Sequence, residues 1–110
     1  MLYMIVEHFK NEDPLPVYRR FRDQGRLAPE GLIYVSSWVD EKMHRCYQLM
    51  ETDDSTLIEQ WIANWNDIVD FEVYGVLTSK LLNVLLLCFR LMLTISCSVF
   101  ITNHAIALSL

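Results

Sequence analysis

The order of strand-like and helix-like segments predicts an α+β domain with the element order βαββαβ. Four short runs are rich in aromatic and β-branched residues, as strands are, and two longer segments repeat their apolar residues at helical spacing. Clusters of Pro, Gly, Asn and Asp separate these six segments. Right-handed crossovers then place both helices on one face of a four-stranded antiparallel sheet, which is the ferredoxin-like arrangement.

The first half of this pattern is a strand followed by a helix. Residues 2–9, LYMIVEHF, are apolar enough for a central strand that is covered on both faces. Asp13 can accept a hydrogen bond from the first amides of the next helix, and Pro14 suits its first position. The helix is expected to run to Gln24 and to end at Gly25. Its expected buried stripe consists of three apolar residues, Val17, Tyr18 and Phe21.

The second half contains three strands and a helix. Residues 32–39 and 45–51 predict two strands joined as an antiparallel hairpin by a short loop. A helix follows, since five apolar residues recur at helical spacing: Leu57, Ile58, Trp61, Ile62 and Trp65. Residues 71–77 predict the fourth strand, with Glu72, Tyr74 and Val76 on one of its faces.

The charge pattern divides the chain near Thr78. All 14 acidic residues lie at or before Glu72, so we expect a soluble domain over residues 1–79 and an apolar tail over residues 80–110. Residues 81–101 contain one charge, Arg90, and are long enough to cross a bilayer. Three interpretations stay open for this tail: a membrane anchor, sequence from an altered frame or gene boundary, and a helix packed on the domain.

Composition excludes several functional classes. The domain has seven Lys or Arg against 14 Asp or Glu, so nucleic-acid phosphates would repel it. The three cysteines form no CxxC pair and lie near no His at ligand spacing, so no metal site or disulfide framework is expected. No phosphate-binding glycine loop occurs, and no cofactor is indicated. A reducing, cytoplasmic location is the simplest prediction, with membrane anchoring through the tail as the alternative.

Several separated blocks resemble one small family, domain-of-unknown-function family 3303. The resemblance covers residues 1 to about 79 and rests on six segments: LYMIVEHF (2–9), YRRFR (18–22), GRLAPEGL (25–32), YVSSWV (34–39), CYQLMET (46–52) and WNDIVDFEV (65–73). It implies a dimeric α/β barrel, in which two ferredoxin-like units pack sheet against sheet, and it implies no activity. After Thr78 and Ser79 the sequence departs from the family pattern, and Gly75 stands where many members carry Pro.

Two groups of residues are candidates for a ligand pocket. His8 can act as a proton shuttle and, by alternation with Met4 and Val6, is predicted to project between sheet and helices, whereas Glu7 points the other way. Glu72 on the neighbouring fourth strand can then orient His8 or a ligand. The full candidate set is His8, Tyr34, Ser36, Trp38, Glu72 and Tyr74, with Tyr34, Ser36 and Trp38 expected on one face of the second strand.

Core packing or an interface explains these residues as simply as a pocket does. Our leading hypothesis is a homodimeric domain, with no assigned activity, that binds a small organic ligand. One alternative is a cofactor-independent small monooxygenase or isomerase, which rests on fold analogy. A second alternative is a membrane-tethered interaction module, in which the tail supplies the location.

Overall fold

A computed structural model describes residues 1–96 of the chain and confirms the predicted element order. The strands and helices are β1 Leu2–Phe9, α1 Leu15–Gln24, β2 Ile33–Val39, β3 Arg45–Glu51, α2 Thr56–Ala63, β4 Val69–Val76 and α3 Ser79–Ser96, with a short 3₁₀ turn at Lys10–Glu12. The chain separates into two compact units, the first spanning Met1–Val76 and the second beginning at Leu77.

The four strands form one antiparallel sheet in the order β2-β3-β1-β4. The predicted bounds of β1 and β3 match the structure, whereas β4 begins at Val69, two residues before the predicted start. The core lies between the sheet and the two helices of the first unit. Its buried members are Ile5, Phe9, Val17, Leu32, Cys46, Met50, Ile58, Trp61, Trp65 and Val69.

Local capping explains where the two helices begin and end. Asp13 accepts a hydrogen bond from the Leu15 amide at 3.0 Å, and Gly25 ends α1 with a φ of 72°, which favours glycine. At α2, the Asp54 carboxylate accepts from both the amide and the hydroxyl of Thr56. These two hydrogen bonds hold the pKa of Asp54 below its ordinary value, and the bond from the hydroxyl has the larger effect.

Two tryptophans tie the α1–β2 connection to α2. The indole N–H groups of Trp61 and Trp65 both donate to the carbonyl oxygen of Arg26, at 3.0 Å and 2.9 Å. The side-chain amide of Asn64 donates to the next carbonyl oxygen, that of Leu27, at 3.0 Å. The connection is therefore fixed at two successive peptide groups, and the side chain of Arg26 starts from a defined position.

The second unit contains α3, which presents apolar side chains including Leu85, Phe89 and Leu91. Within residues 1–96 no helix has both the length and the apolar character needed to span a membrane. The last part of the predicted span, residues 97–101, lies outside the described residues.

Candidate functional site

The register of the sheet assigns every strand residue to one of two faces. In β1, Ile5, Glu7 and Phe9 are buried against α1 and α2, so these three residues lie on what we call the helix-covered face. The opposite side, which we call the open face, carries Leu2, Met4, Val6 and His8 of β1, Ser36 and Trp38 of β2, Tyr47 and Leu49 of β3, and Glu72, Tyr74 and Val76 of β4.

A β-bulge in β2 separates two of the residues that were expected to share a face. Tyr34 pairs with the buried Met50, but the next paired residue is Ser36, opposite Leu49, so Val35 is the extra residue. Tyr34 therefore lies on the helix-covered face, while Ser36 and Trp38 lie on the open face. The expectation that Tyr34, Ser36 and Trp38 line one surface is wrong, because strict alternation stops at the bulge.

The expected position of His8 is also wrong. His8 lies on the open face and does not project between the sheet and the helices; Glu7 occupies that side instead. His8 Nε2 is 3.5 Å from Glu72 Oε1, an ion-pair distance without hydrogen-bond geometry. The Tyr74 hydroxyl donates to Glu72 Oε2 at 2.9 Å. Three of the six predicted pocket residues thus meet, but on the open face.

A pocket with a mixed apolar and polar lining lies on the helix-covered face, between the sheet and α1. It is a cavity of about 200 Å³. Its floor consists of strand residues from three successive rows of the sheet: Glu7, Phe9, Ser37, Val39, Cys46 and Gln48. Its walls come from α1, the α1–β2 connection and the turn after α2, through Val17, Tyr18, Phe21, Arg26 and Trp65.

Glu7 is the most unusual residue of this pocket, since it is a carboxyl group that is 6% exposed. Burial raises its pKa from the ordinary value of 4.5 to about 7, and a hydrogen bond with Cys46 and the charge of Arg26 oppose that rise. The opposite residue across the β1–β3 pair is Cys46, whose thiol pKa is raised by burial and by Glu7. Near neutral pH the Glu7 carboxyl can therefore either donate or accept a proton.

Two polar nitrogen atoms in the same pocket are buried without a hydrogen-bond partner in the part of the chain that the structure describes. These are Nε2 of Gln48, on a side chain 5% exposed, and Nε of Arg26. An unpaired buried donor costs about 1–3 kcal/mol. Both atoms are donors, so the pocket offers N–H groups for which the described residues supply no acceptor.

Arg26 is held over the pocket by aromatic stacking. Its guanidinium carbon lies 3.7 Å from the centre of the Tyr34 ring and 5.2 Å from that of Phe21. The Tyr34 hydroxyl in turn lies 2.8 Å from the hydroxyl of Ser37 on the pocket floor. Tyr34 therefore contributes to this pocket indirectly, by positioning Arg26 and Ser37.

The predicted buried stripe of α1 is a pocket wall rather than solid core. Val17 is buried, but Tyr18 and Phe21 are each 44% exposed, because the cavity lies beneath them. The ring of Tyr18 contacts that of Phe9 edge to face, with centroids 6.2 Å apart. The aromatic surface of α1 is thus available to an apolar ligand.

A second, polar cavity of about 450 Å³ lies at the same, C-terminal end of β1 and shares Phe9 with the first. It is lined by His8, Phe9, Glu12, Asp40, Glu41, Lys42, His44 and Arg45. His44 Nε2 lies 3.6 Å from Glu12 Oε2. Asp40 accepts hydrogen bonds from the backbone amides of His44 and Arg45. These bonds, of which the one from Arg45 has the larger effect, hold the pKa of Asp40 below its ordinary value. No group of His, Cys, Asp and Glu within residues 1–96 is arranged to hold a metal ion.

Sequence reasoning missed Glu7, Cys46, Gln48 and Arg26 as pocket residues. The signal that identifies them lies in β3, where charged Arg45 and Glu51 mark the face that avoids the core. Cys46 and Gln48 must then face inward, and antiparallel pairing with β1 sets Glu7 opposite Cys46.

Comparison with known families matches residues 1–86 to a domain of unknown function (DUF3303). The match extends beyond residue 79, where the resemblance was expected to end. Searches of curated proteins and of solved structures gave no significant match.

Proposed function

We propose that this chain, which belongs to the DUF3303 family of domains of unknown function, binds a small organic ligand in the pocket between the sheet and α1. The observation that carries the proposal is the combination of a cavity of about 200 Å³, lined mostly by apolar side chains, with two buried polar side chains, Glu7 and Gln48, on its floor. Binding sites typically combine an apolar lining with a few convergent polar groups. A purely structural core would gain stability from apolar residues at both positions.

A thermal-shift screen of small organic compounds against the 110-residue chain tests this proposal. A ligand that binds only the folded state raises the midpoint of unfolding by mass action. Val39→Trp at the pocket rim should fill the cavity and abolish the shift. Met43→Trp in the exposed β2–β3 turn, outside the pocket, is the matched control and should retain it. The proposal fails if no compound shifts the midpoint, or if Val39→Trp leaves the shifts unchanged.

A cofactor-independent enzyme is the second candidate, and the pKa of Glu7 favours proton transfer over other chemistry. A carboxyl with a pKa of about 7 exchanges protons efficiently near neutral pH, as a general acid or base must. An isomerase that moves a proton within its substrate fits this group. The test is deuterium incorporation from D₂O into a screened ligand, which should depend on Glu7 and disappear in Glu7→Gln.

We further propose that a second copy of the chain covers the open face. α1 and α2 pack on the other side of the sheet, and the open face carries apolar residues such as Met4, Val6 and Leu49 in its centre. The open face carries opposite charges at the two ends of β3, with Arg45 at one end and Glu51 at the other. A copy related by a two-fold axis can place Arg45 of one chain near Glu51 of the other.

A further inference from the structure

We infer that the pocket selects small organic acids: a ligand carboxylate would meet Gln48, Arg26 and Glu7, while a flat apolar body lies against the aromatic side chains of α1. This inference rests on the proposed ligand-binding function and specifies its ligand class. It follows from three features of the pocket, namely its hydrogen-bond donors, its charge and its apolar walls.

The donors require an acceptor group on the ligand. Gln48 Nε2 and Arg26 Nε both lack an acceptor among the described residues, although both line the cavity. A carboxylate has two oxygen atoms that accept several hydrogen bonds, and bonds to an ionised acceptor are roughly twice as strong as neutral ones. A ligand carboxylate therefore supplies the kind of acceptor that these unpaired donors lack.

The charge of the pocket then decides the protonation of Glu7. Four elements surround this carboxyl: Tyr18 faces it from α1, Cys46 from β3 and Arg26 from the α1–β2 connection, while β4 contributes the uncharged Phe71. Arg26 is the only cation among these neighbours. A second carboxylate beside an ionised Glu7 would place two anions in a poorly solvated site, so one of the pair must carry a proton.

Above pH 7, where Glu7 of the free chain is mostly ionised, binding of an organic anion is therefore expected to take up about one proton from solvent at Glu7, whereas at pH 6 the carboxyl already carries that proton. The protonated carboxyl becomes a third donor to the ligand, and Arg26 balances the remaining negative charge. The acidic surface of the domain opposes the approach of anions, but physiological salt screens such charges over about 8 Å. The local contacts in the pocket consequently determine affinity.

The aromatic side chains of the pocket restrict the body of the ligand. Phe9, Tyr18, Phe21 and Trp65 provide aromatic surface, and the cavity of about 200 Å³ suits a single ring with short substituents. Benzoate is the simplest probe of this class. Benzamide, which has the same shape without the negative charge, and toluene, which lacks the polar group, are its matched controls.

The experiment is calorimetric titration of the 110-residue chain with each probe at pH 6 and pH 8. Benzoate stays ionised at both values, so its affinity should fall by about tenfold between them as Glu7 loses its proton around pH 7. Benzamide and toluene should bind at least tenfold more weakly than benzoate at pH 6.

Three substitutions in the pocket test which side chains bind benzoate and cause the pH dependence of its affinity. Glu7→Gln keeps a neutral donor at every pH, so its affinity for benzoate should persist at pH 8 and lose its pH dependence. Gln48→Met and Arg26→Met each remove a donor and should weaken benzoate by about tenfold or more, with folding checked by thermal unfolding. Glu59→Gln, the same change as in Glu7→Gln on the exposed surface of α2, should match the unaltered chain.

The outcomes separate this inference from the proposed function. Binding of benzamide or toluene with equal or higher affinity than benzoate would leave a ligand pocket in place and overturn the assignment to organic acids. A benzoate affinity that is the same at pH 6 and pH 8 would overturn the role of Glu7. If none of the three probes binds and the compound screen also finds no ligand, the proposed function itself fails.

Discussion

The two faces of the sheet differ in which side chains lack a matching environment, although the same strands supply both faces. On the helix-covered face, apolar residues are buried and the polar Glu7 and Gln48 are left among them. On the open face, apolar Met4, Val6 and Leu49 occupy the centre, and polar groups such as Glu72 remain solvated. The polar groups of the first face therefore reduce stability unless a ligand uses them, whereas the apolar groups of the second face are those that the proposed second copy would cover.

Adjacent residues on β3 test this difference most strongly. Met50, on the helix-covered face, is fully buried, so Met50→Ala should lower the free energy of unfolding by about 2–5 kcal/mol through lost burial and a residual cavity. Leu49→Ala, on the open face, should cost about 1 kcal/mol in a single chain. Urea unfolding at the lowest practical protein concentration measures both. Equal losses would contradict the assignment of the two faces.

Glu7 provides the second test, because its burial makes stability depend on pH. Its pKa is raised in the folded state, so the folded chain binds more protons than the unfolded chain between pH 4.5 and about 7. Stability should therefore fall as pH rises through this window, by up to about 3 kcal/mol, and level off above it. Glu7→Gln should remove this loss and be more stable than the unaltered chain at pH 8.

The matched control for this effect is Glu59→Gln on the exposed surface of α2. It removes the same charge without a buried carboxyl, so its unfolding free energy should follow the pH dependence of the unaltered chain. Both curves come from urea unfolding between pH 4.5 and pH 8. A Glu7→Gln variant that is less stable than the unaltered chain at pH 8 would show that the carboxylate is stabilised in its pocket.

The element order could be predicted from sequence because most boundaries carry a local signal. Asp13 and Gly25 mark the ends of α1, and turn-forming residues follow β1 and flank β3 on both sides. The turn after α2 was harder to place, since Trp65 continues the helical apolar spacing although the helix ends at Ala63. Its burial comes from contact with the core and does not require helical backbone.

The candidate site was less predictable because the strands are apolar on both sides. In β1, Met4 and Val6 are as apolar as Ile5 and Phe9, so alternation alone cannot decide which set faces the helices. The bulge at Val35 leaves no local mark, since its neighbours are all acceptable in a regular strand. Face assignment required the pairing of β1 with β3, which is a tertiary property.

The smallest expected effect on a single chain, and the sharpest test of the open face, is Leu49→Lys. A lysine at this half-buried position can extend its charge into solvent, so the unfolding free energy of one chain should change by about 1 kcal/mol or less. Its effect on self-association should be large, because two like charges would meet in the centre of the proposed two-fold interface. Sedimentation equilibrium should give twice the chain mass for the unaltered protein and a single chain for the variant. Met43→Lys introduces the same charge in the exposed β2–β3 turn and should remain dimeric; a single-chain mass for the unaltered protein at high concentration would contradict the proposed dimer.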